Sequence, residues 1–396
     1  MQKINLTPLA GMDNASPDAD LQIGGDAPRV YLRDAINVDI GEGGRARMRA
    51  GLRLETATPL ANLWQSPLHG DVFGTVGPEW VKVSRPGWGY ESLAQLGDGY
   101  ASHLVLNNAV IVAGPNGIYR FDGSSAQRLT IDTPPAPMVS AGSGALVAGN
   151  YSVAVAWVRA DGTESGLSSA TACHVGDGGG LSVVLPLCMD PTIVTARVYA
   201  TSQNGSELRR LEDLPVSRPD LDISSMAGLG RAAMFAHMSP MRTGRYLGLW
   251  RGRLLTATAN VLRFSQALAY HLHDARHDFV QMPQRITFVQ PVDGGIWVGQ
   301  VDHVAFLAGT SPENLEYGRR QARAPVPGTA IALKAEEAGE LSAGGQAAVL
   351  WLADNGFVLG SPDGQLVEAQ ARRIKGVRGT TGTCVVFDRR VLAALV

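Results

Sequence analysis

The chain has 396 residues, of which 45% are apolar and 18% charged, and its formal net charge is −2. That is length for two or three domains or one large multi-sheet body, with enough apolar surface for a core. A near-neutral balance with no basic stripe excludes nucleic-acid backbone binding as the main task, no apolar run approaches the ~20 residues of a membrane span, and Cys173, Cys188 and Cys384 lack the spacing of a disulfide framework.

Residues 1–44 read as an N-terminal arm ending in a first strand. D-N at 13–14, S-P at 16–17 and G-G at 24–25 are turn signals, and hydrophobic periodicity is poor between them. The opening MQKINLTPLAGMDN has one Lys and no apolar h-region, so a secretory signal is not expected, and the cysteine usage suits a reducing cytosol. Residues 31–40 (YLRDAINVDI) alternate, turn through 41–44, and lead into 45–54 (RARMRAGLRL). There Arg45, Arg47 and Arg49 alternate with smaller or apolar residues, as on an exposed strand.

Strands are expected near 70–76, 80–84 and 90–96. Residues 105–120 (VLNNAVIVAGPNGIYR), followed by F-D-G at 121–123, give the clearest copy of a unit that recurs along the chain. A strand meets a tight turn, a second strand follows, then a D-G turn and a third strand. P-P-A-P at 134–137 breaks this rhythm, because proline cannot donate to a ladder. After it come 149–159 (GNYSVAVAWVR), the turn DGTES at 161–165, and strands at 181–187, 193–201 (IVTARVYAT) and 208–211. Roughly ten residues per strand with no helical period reads as a small β-sandwich. The first rhythm returns at 245–257 (RYLGLWRGRLLTA), 286–306 and 347–374, the last containing VLWLADNGFV and the turn SPDG.

Repeated units of this kind imply radial blades, since one blade cannot bury both of its faces alone. The expected fold is therefore all-β: a β-propeller of about six blades, five to seven in range, with an inserted sandwich. The expected divisions are the arm at 1–44, a first propeller part at 45–133, the sandwich at 134–219 and a second propeller part at 220–396. The terminal run 383–396 (TCVVFDRRVLAALV) ends in apolar residues and needs a partner strand. Residues 45–54 are the expected partner, a pairing that would close the ring.

Two stretches carry a family likeness. Residues 31–54, with R-D-A-x-N-V-D-I and then G-R-x-R-x-R-x-G, preceded by G-M-D-N at 11–14, resemble the N-terminal signature of tail proteins of tailed bacteriophages. Residues 149–201, with G-x-Y-x-V-x-V-x-W-V, D-G-x-E-S and R-V-Y-A-T, are similar to fibronectin-type-III-like modules inserted in such proteins. Residues 279–314 also resemble their propeller portion. The resemblance implies a virion tail component assembled in the bacterial cytoplasm, nearest to the nozzle proteins that form a ring at the tail end. Its implied partners are copies of itself and other tail proteins, with transient contact to phage DNA in a lumen or to the host surface. It implies no cofactor and no catalysis.

Four sets of residues invite a chemical role. His271, His273 and His277 lie with Asp274 and Asp278 in YHLHDARHD, the one dense group of metal-ligand types; the alternative is a polar loop with local hydrogen bonds. Asp71, Asp122, Asp293, Asp354 and Asp363 could supply a glycosidase pair, yet most sit in turn positions where Asp bonds its own backbone. Trp88, between two glycines, could be a stacking platform for a glycan, or a core residue. Arg45, Arg47 and Arg49 could contact an acidic neighbour, or simply solvate a strand edge. A receptor- or carbohydrate-binding tail protein, and a polysaccharide hydrolase, stand as alternatives to the assembly role.

Overall fold

The computed structural model describes residues 7–24, 28–41, 43–49, 51, 53–338, 346–387 and 390–396. It is all-β and β-propeller-like, built of small antiparallel sheets; no helix among the described residues is long and apolar enough to cross a membrane. Five of the sheets have four strands each in simple up-and-down order. The first comprises Ala61–Gln65, Val72–Val76, Glu79–Val83 and Tyr90–Gln95. The second comprises Ser102–Leu106, Ala109–Gly114, Gly117–Phe121 and Ala126–Arg128. The third comprises Arg245–Trp250, Arg253–Thr258, Val261–Phe264 and Phe279–Gln281. The fourth comprises Ile286–Val292, Gly295–Gln300, Val304–Ala308 and Glu316–Arg320. The fifth comprises Ile331–Leu333, Ala348–Ala353, Gly356–Gly360 and Leu366–Glu368.

Local chemistry sets these sheets. Their second strands read AVIVAG, GIWVGQ and AVLWLA, continuous apolar runs buried on both faces. Two-residue turns join the strands, and the residues in them accept left-handed backbone: Asn107 and Asn108 at φ 48° and 57°, Arg251 and Gly252 at 46° and 71°. Both turns have the geometry that matches strand twist in a hairpin.

Each sheet packs its face on the next. Phe73 and Trp80 of the first meet Val110, Val112 and Phe121 of the second. Ile111 and Ile118 of the second meet Leu247 and Leu254 of the third. Phe264 and Leu255 meet Val289 and Val298 of the fourth. Between the fourth and fifth, Trp297 and Trp351 lie 5.5 Å apart, and the Trp297 indole N–H donates to the Ser361 carbonyl at 2.9 Å. Gly360 is required there: a Cβ would stand 2.6 Å from the Trp297 ring. The fifth sheet in turn covers Val386 and Val391 of a terminal hairpin, Gly382–Phe387 with Arg390–Leu395.

That hairpin corrects one expectation. The last strand pairs with Gly382–Phe387, while Ala46–Met48 of the arginine-rich run pairs with Val38–Ile40. The reason is local: the run 383–396 folds back on itself, joining Val386 to Val391 and Phe387 to Arg390 across its own turn. Asp388, Arg389, Glu42, Ala50 and Leu52 lie outside the described residues. The run 31–40 also divides. Arg29–Leu32 joins Leu9–Met12 and Gln22–Ile23, and Val38–Ile40 joins the arginine strand. The arm reaches the loop after the fifth sheet, where Asn14 and Lys375 exchange two hydrogen bonds of 2.9 Å and Arg373 sits 3.9 Å over the Tyr31 ring.

Residues 138–223 form two facing sheets. Met138–Leu146, Gly179–Val184 and Asp220–Ile223 make one; Thr171–Val175, Gly149–Arg159, Ile193–Ala200 and Arg209–Pro215 make the other. Val153, Val155 and Trp157 point to the shared core with Leu181, Val183 and Leu221. The motif E-S-G-L-S completes the edge of the long strand: Ser165 and Ser168 hydroxyls accept from the Trp157 and Val155 amides at 2.9 Å, replacing a missing ladder. The sandwich lies between the second and third sheets in sequence, yet those sheets touch directly, with Thr243 donating to Gly114 at 2.6 Å and Leu247 donating to Ser102 at 2.8 Å.

Arg159 ties the sandwich to the body. It is 7% exposed, and its guanidinium donates to the Leu129 and Thr130 carbonyls at 3.3 and 3.2 Å and to Thr192 at 3.0 Å. Arg159→Leu removes the donors of three hydrogen bonds, one buried and two part-buried. The expected loss is about 2–4 kcal/mol, with faster amide exchange at 129–131. Differential scanning calorimetry and hydrogen exchange measure both; unchanged exchange at that joint would contradict this role for Arg159.

Candidate functional site: the central cavity

The first strands of the first four sheets converge on one cavity of about 630 Å³. Asn62 and Trp64 enter from the first sheet, Ser102 and His103 from the second, Arg245 and Tyr246 from the third, Gln290 from the fourth. Pro327 and Ala330 precede or approach the fifth sheet's first strand, and Thr381 and Thr383 come from the terminal hairpin. A side chamber of about 300 Å³ shares Arg245, Tyr246, Pro327 and Thr381 and adds Arg285 and Thr287.

Three of these first strands are bulged, with register breaks at Ala61/Trp64, Arg245/Gly248 and Ile286/Phe288. A bulge re-aims side chains and bends its strand. Asn62 and Tyr246 sit at the first two bulges with φ of 50° and 59°. For Asn that region is accessible; for a bulky aromatic it is strained.

The cavity's charge is one-sided. Arg245 and Arg285 line it, and no carboxylate does among the described residues. Arg245 stands 5.0 Å over the Tyr100 ring. Burial raises the Tyr246 phenol, and the nearby guanidinium groups of Arg245 and Arg285 partly offset this. A glycosidase needs two carboxylates about 5–10 Å apart in such a funnel; the cavity does not supply them.

His103 forms part of the wall. Its ring stacks on Trp64 at 5.3 Å and 5°, and its Nε2 accepts the Trp80 indole N–H at 3.2 Å. Burial pulls its pKa down to about 3. The bond needs a neutral ring with Nε2 unprotonated, so geometry and desolvation act together.

The residues singled out in the sequence lie elsewhere. His271 Nε2 is 2.8 Å from the Glu164 carbonyl oxygen, His273 is buried with neither ring nitrogen partnered, and His277 is exposed. Asp274 holds Arg276 at 2.7 Å, and Asp278 accepts the Asp274 amide at 2.7 Å. No three His, Cys, Asp or Glu gather as a metal would require among the described residues. Asp122 accepts the Ser124 and Ser125 amides at 2.9 Å, and Asp71 pairs with Lys82 at 3.0 Å. Trp88 is half-buried against Val72, Val81 and Val83. Arg45, Arg47 and Arg49 are exposed, and Arg49 bonds Asp39 at 3.2 Å. Sequence reading missed Arg245, Tyr246, Arg285 and His103. They carry no spacing signal, because Arg245 and Tyr246 on one strand are joined by Arg285 and His103 from distant parts of the chain.

No family model matches the chain, and no curated protein does. Solved structures do align over most of it. Sqt1 of Saccharomyces cerevisiae is 9% identical, covering 81% of this chain and 76% of that one at a TM-score of 0.33. Hsv2 of Kluyveromyces lactis is 7% identical, covering 85% and 90% at 0.32. The extracellular domain of BT4673 from B. thetaiotaomicron is 9% identical, covering 88% and 59% at 0.25. At these scores the likeness carries nothing about function.

His103 generates a pH prediction. The unfolded chain takes up a proton near pH 6.5 that the folded chain refuses until about 3. Stability therefore falls as pH drops through about 6.5. His271 and His273, also lowered by burial, add in the same direction. Ordinary carboxylates titrate below about 4.5, so the range from about 6.5 to 4.5 isolates the imidazoles. The melting temperature should decline across that range and decline less in His103→Gln. A flat wild-type profile would rule out a neutral ring held in the cavity wall.

Proposed function

We propose that this chain is a structural subunit of a bacteriophage tail, acting by homo-oligomeric assembly into a nozzle or tail-tip ring. In this reading the body is a six-bladed propeller, the terminal hairpin is an incomplete sixth blade, and the sandwich is an inserted fibronectin-III-like domain. The count is supported by five four-stranded sheets and one hairpin, of which four sheets, the hairpin and Ala330 just before the fifth sheet line the same cavity. Seven strands divided three and four, with the D-G-x-E-S turn, support the module assignment.

The observation that carries assembly is the outer face of the terminal hairpin. Val385 and Leu392 face each other across the strands, next to Phe387, and they are 55%, 48% and 68% exposed. An apolar face rimmed by polar residues marks an interaction surface more often than a free one. One heterologous contact repeated about an axis closes a ring. The exposed Arg45 and Arg47 would add an electrostatic contact to an acidic neighbour. Virion membership rests on the resemblance at 31–54 and 149–201. Other tail proteins, and DNA passing through the ring, are the partners it implies.

A second reading, a carbohydrate-binding tail protein, draws support from the aromatic wall of Trp64, Tyr100 and Tyr246 in the cavity.

Light scattering after size exclusion, with negative-stain class averages, should show closed rings for the purified chain. Val385→Ser with Phe387→Ser should raise the protein concentration needed for assembly about tenfold or more while leaving the melting temperature near wild type, and Arg47→Glu should weaken assembly in a salt-dependent way. A monomer at every concentration, together with purified tails lacking the chain, would discard the proposal.

A further inference from the structure

Two arginines meet at the side chamber of the central cavity. Arg245 and Arg285 share one chamber, and neither forms an ion pair with a carboxylate among the described residues. Both guanidinium groups are exposed to solvent at the chamber and free to take an anion. The Thr287 hydroxyl lining the same chamber is buried with no partner. Tyr246 is held in left-handed backbone at the bulge beside Arg245. Strain of this kind, of order 1–3 kcal/mol, persists where a side chain must be aimed.

Next to the arginines lies a wall of a different kind. Trp64 and Tyr100 give flat apolar faces, and Asn62 and Gln290 add amide donors and acceptors. Guanidinium groups match a carboxylate, aromatic faces match the C–H face of a sugar ring, and amides match its hydroxyls. A volume near 630 Å³ falls within the range of small-molecule sites.

We propose that the central cavity binds an acidic saccharide, with its carboxylate between Arg245 and Arg285 and its ring against Trp64 and Tyr100. This site is separate from Trp88 and does not depend on assembly. The absence of lining carboxylates favours an anion entering the chamber and leaves the bound sugar intact.

Isothermal titration of the full chain with N-acetylneuraminate and galacturonate, against galactose, acetate and inorganic phosphate, tests the site. Both acidic sugars should bind, galactose should not, and acetate and phosphate should bind at least tenfold more weakly. Arg285→Gln and Arg245→Gln should each weaken acidic-sugar binding about tenfold or more, as expected for one lost charge-assisted contact. Arg285 is exposed, so its variant keeps the test valid should Arg245→Gln fail to fold. Several outcomes would overturn the proposal: no binding of either acid, equal binding of galactose, equal binding of acetate or phosphate, or binding indifferent to Arg285→Gln.

Discussion

A four-stranded antiparallel sheet with apolar residues on both faces cannot cover itself, and that constraint organises this molecule. Strands such as AVLWLA are buried on both sides because a neighbouring sheet lies against each. The result is a succession of junctions, each with its own aromatic or aliphatic cluster, running from the first sheet to the terminal hairpin. The two ends of the succession differ. On the first sheet, Val72, Val81 and Val83 are covered by Leu60 and Trp88 from flanking chain. On the hairpin, Val385 and Phe387 remain uncovered.

The sandwich obeys the same rule with its own means. Its two sheets bury one face against each other, and Ala154 and Ala156 on the far side are sealed by Leu167, Tyr199 and chain around Ala233 and Ala236. Small residues on that side let a non-strand segment approach closely. The joint to the body is polar. Arg159 reaches the carbonyls after the second sheet, and Glu164 offers its carbonyl to His271 while its carboxylate accepts from Tyr199 and Arg197 at 2.5 Å. Such a joint is directional where an apolar one is not, and it fixes the sandwich's orientation.

What could be read from the chain follows from range of interaction. The hairpins at 106–109, 250–253 and 353–356 were legible because their turn residues satisfy a local backbone need. The break at 134–137 was legible because proline removes a donor. The partner of the terminal strand was not, since an apolar edge such as that of 390–395 specifies the need for a mate and not its identity; the nearest complementary run, 382–387, is only a turn away, and the loop-closure cost is small. The histidine cluster disperses for a related reason. Proximity along the chain put His271, His273 and His277 together, while strand direction turned His271 to the sandwich and His273 into the core.

The cavity is the least legible part, because it belongs to no segment. The first strands of the first four sheets contribute two or three residues each, and their convergence depends on sheets that pack at their outer faces and leave space where their inner edges meet. Bulges at three of those strands show that the inner edge is not a passive remainder of this packing. A regular ladder would have kept Tyr246 in the unstrained β region and alternated it strictly with Arg245 and Leu247. At the bulge Arg245 and Tyr246 both line the cavity, while Leu247 packs into the cluster shared with the second sheet. In the third and fourth sheets the departure from regularity is confined to this inner edge, while the first sheet carries a second register break at Trp80/Val81.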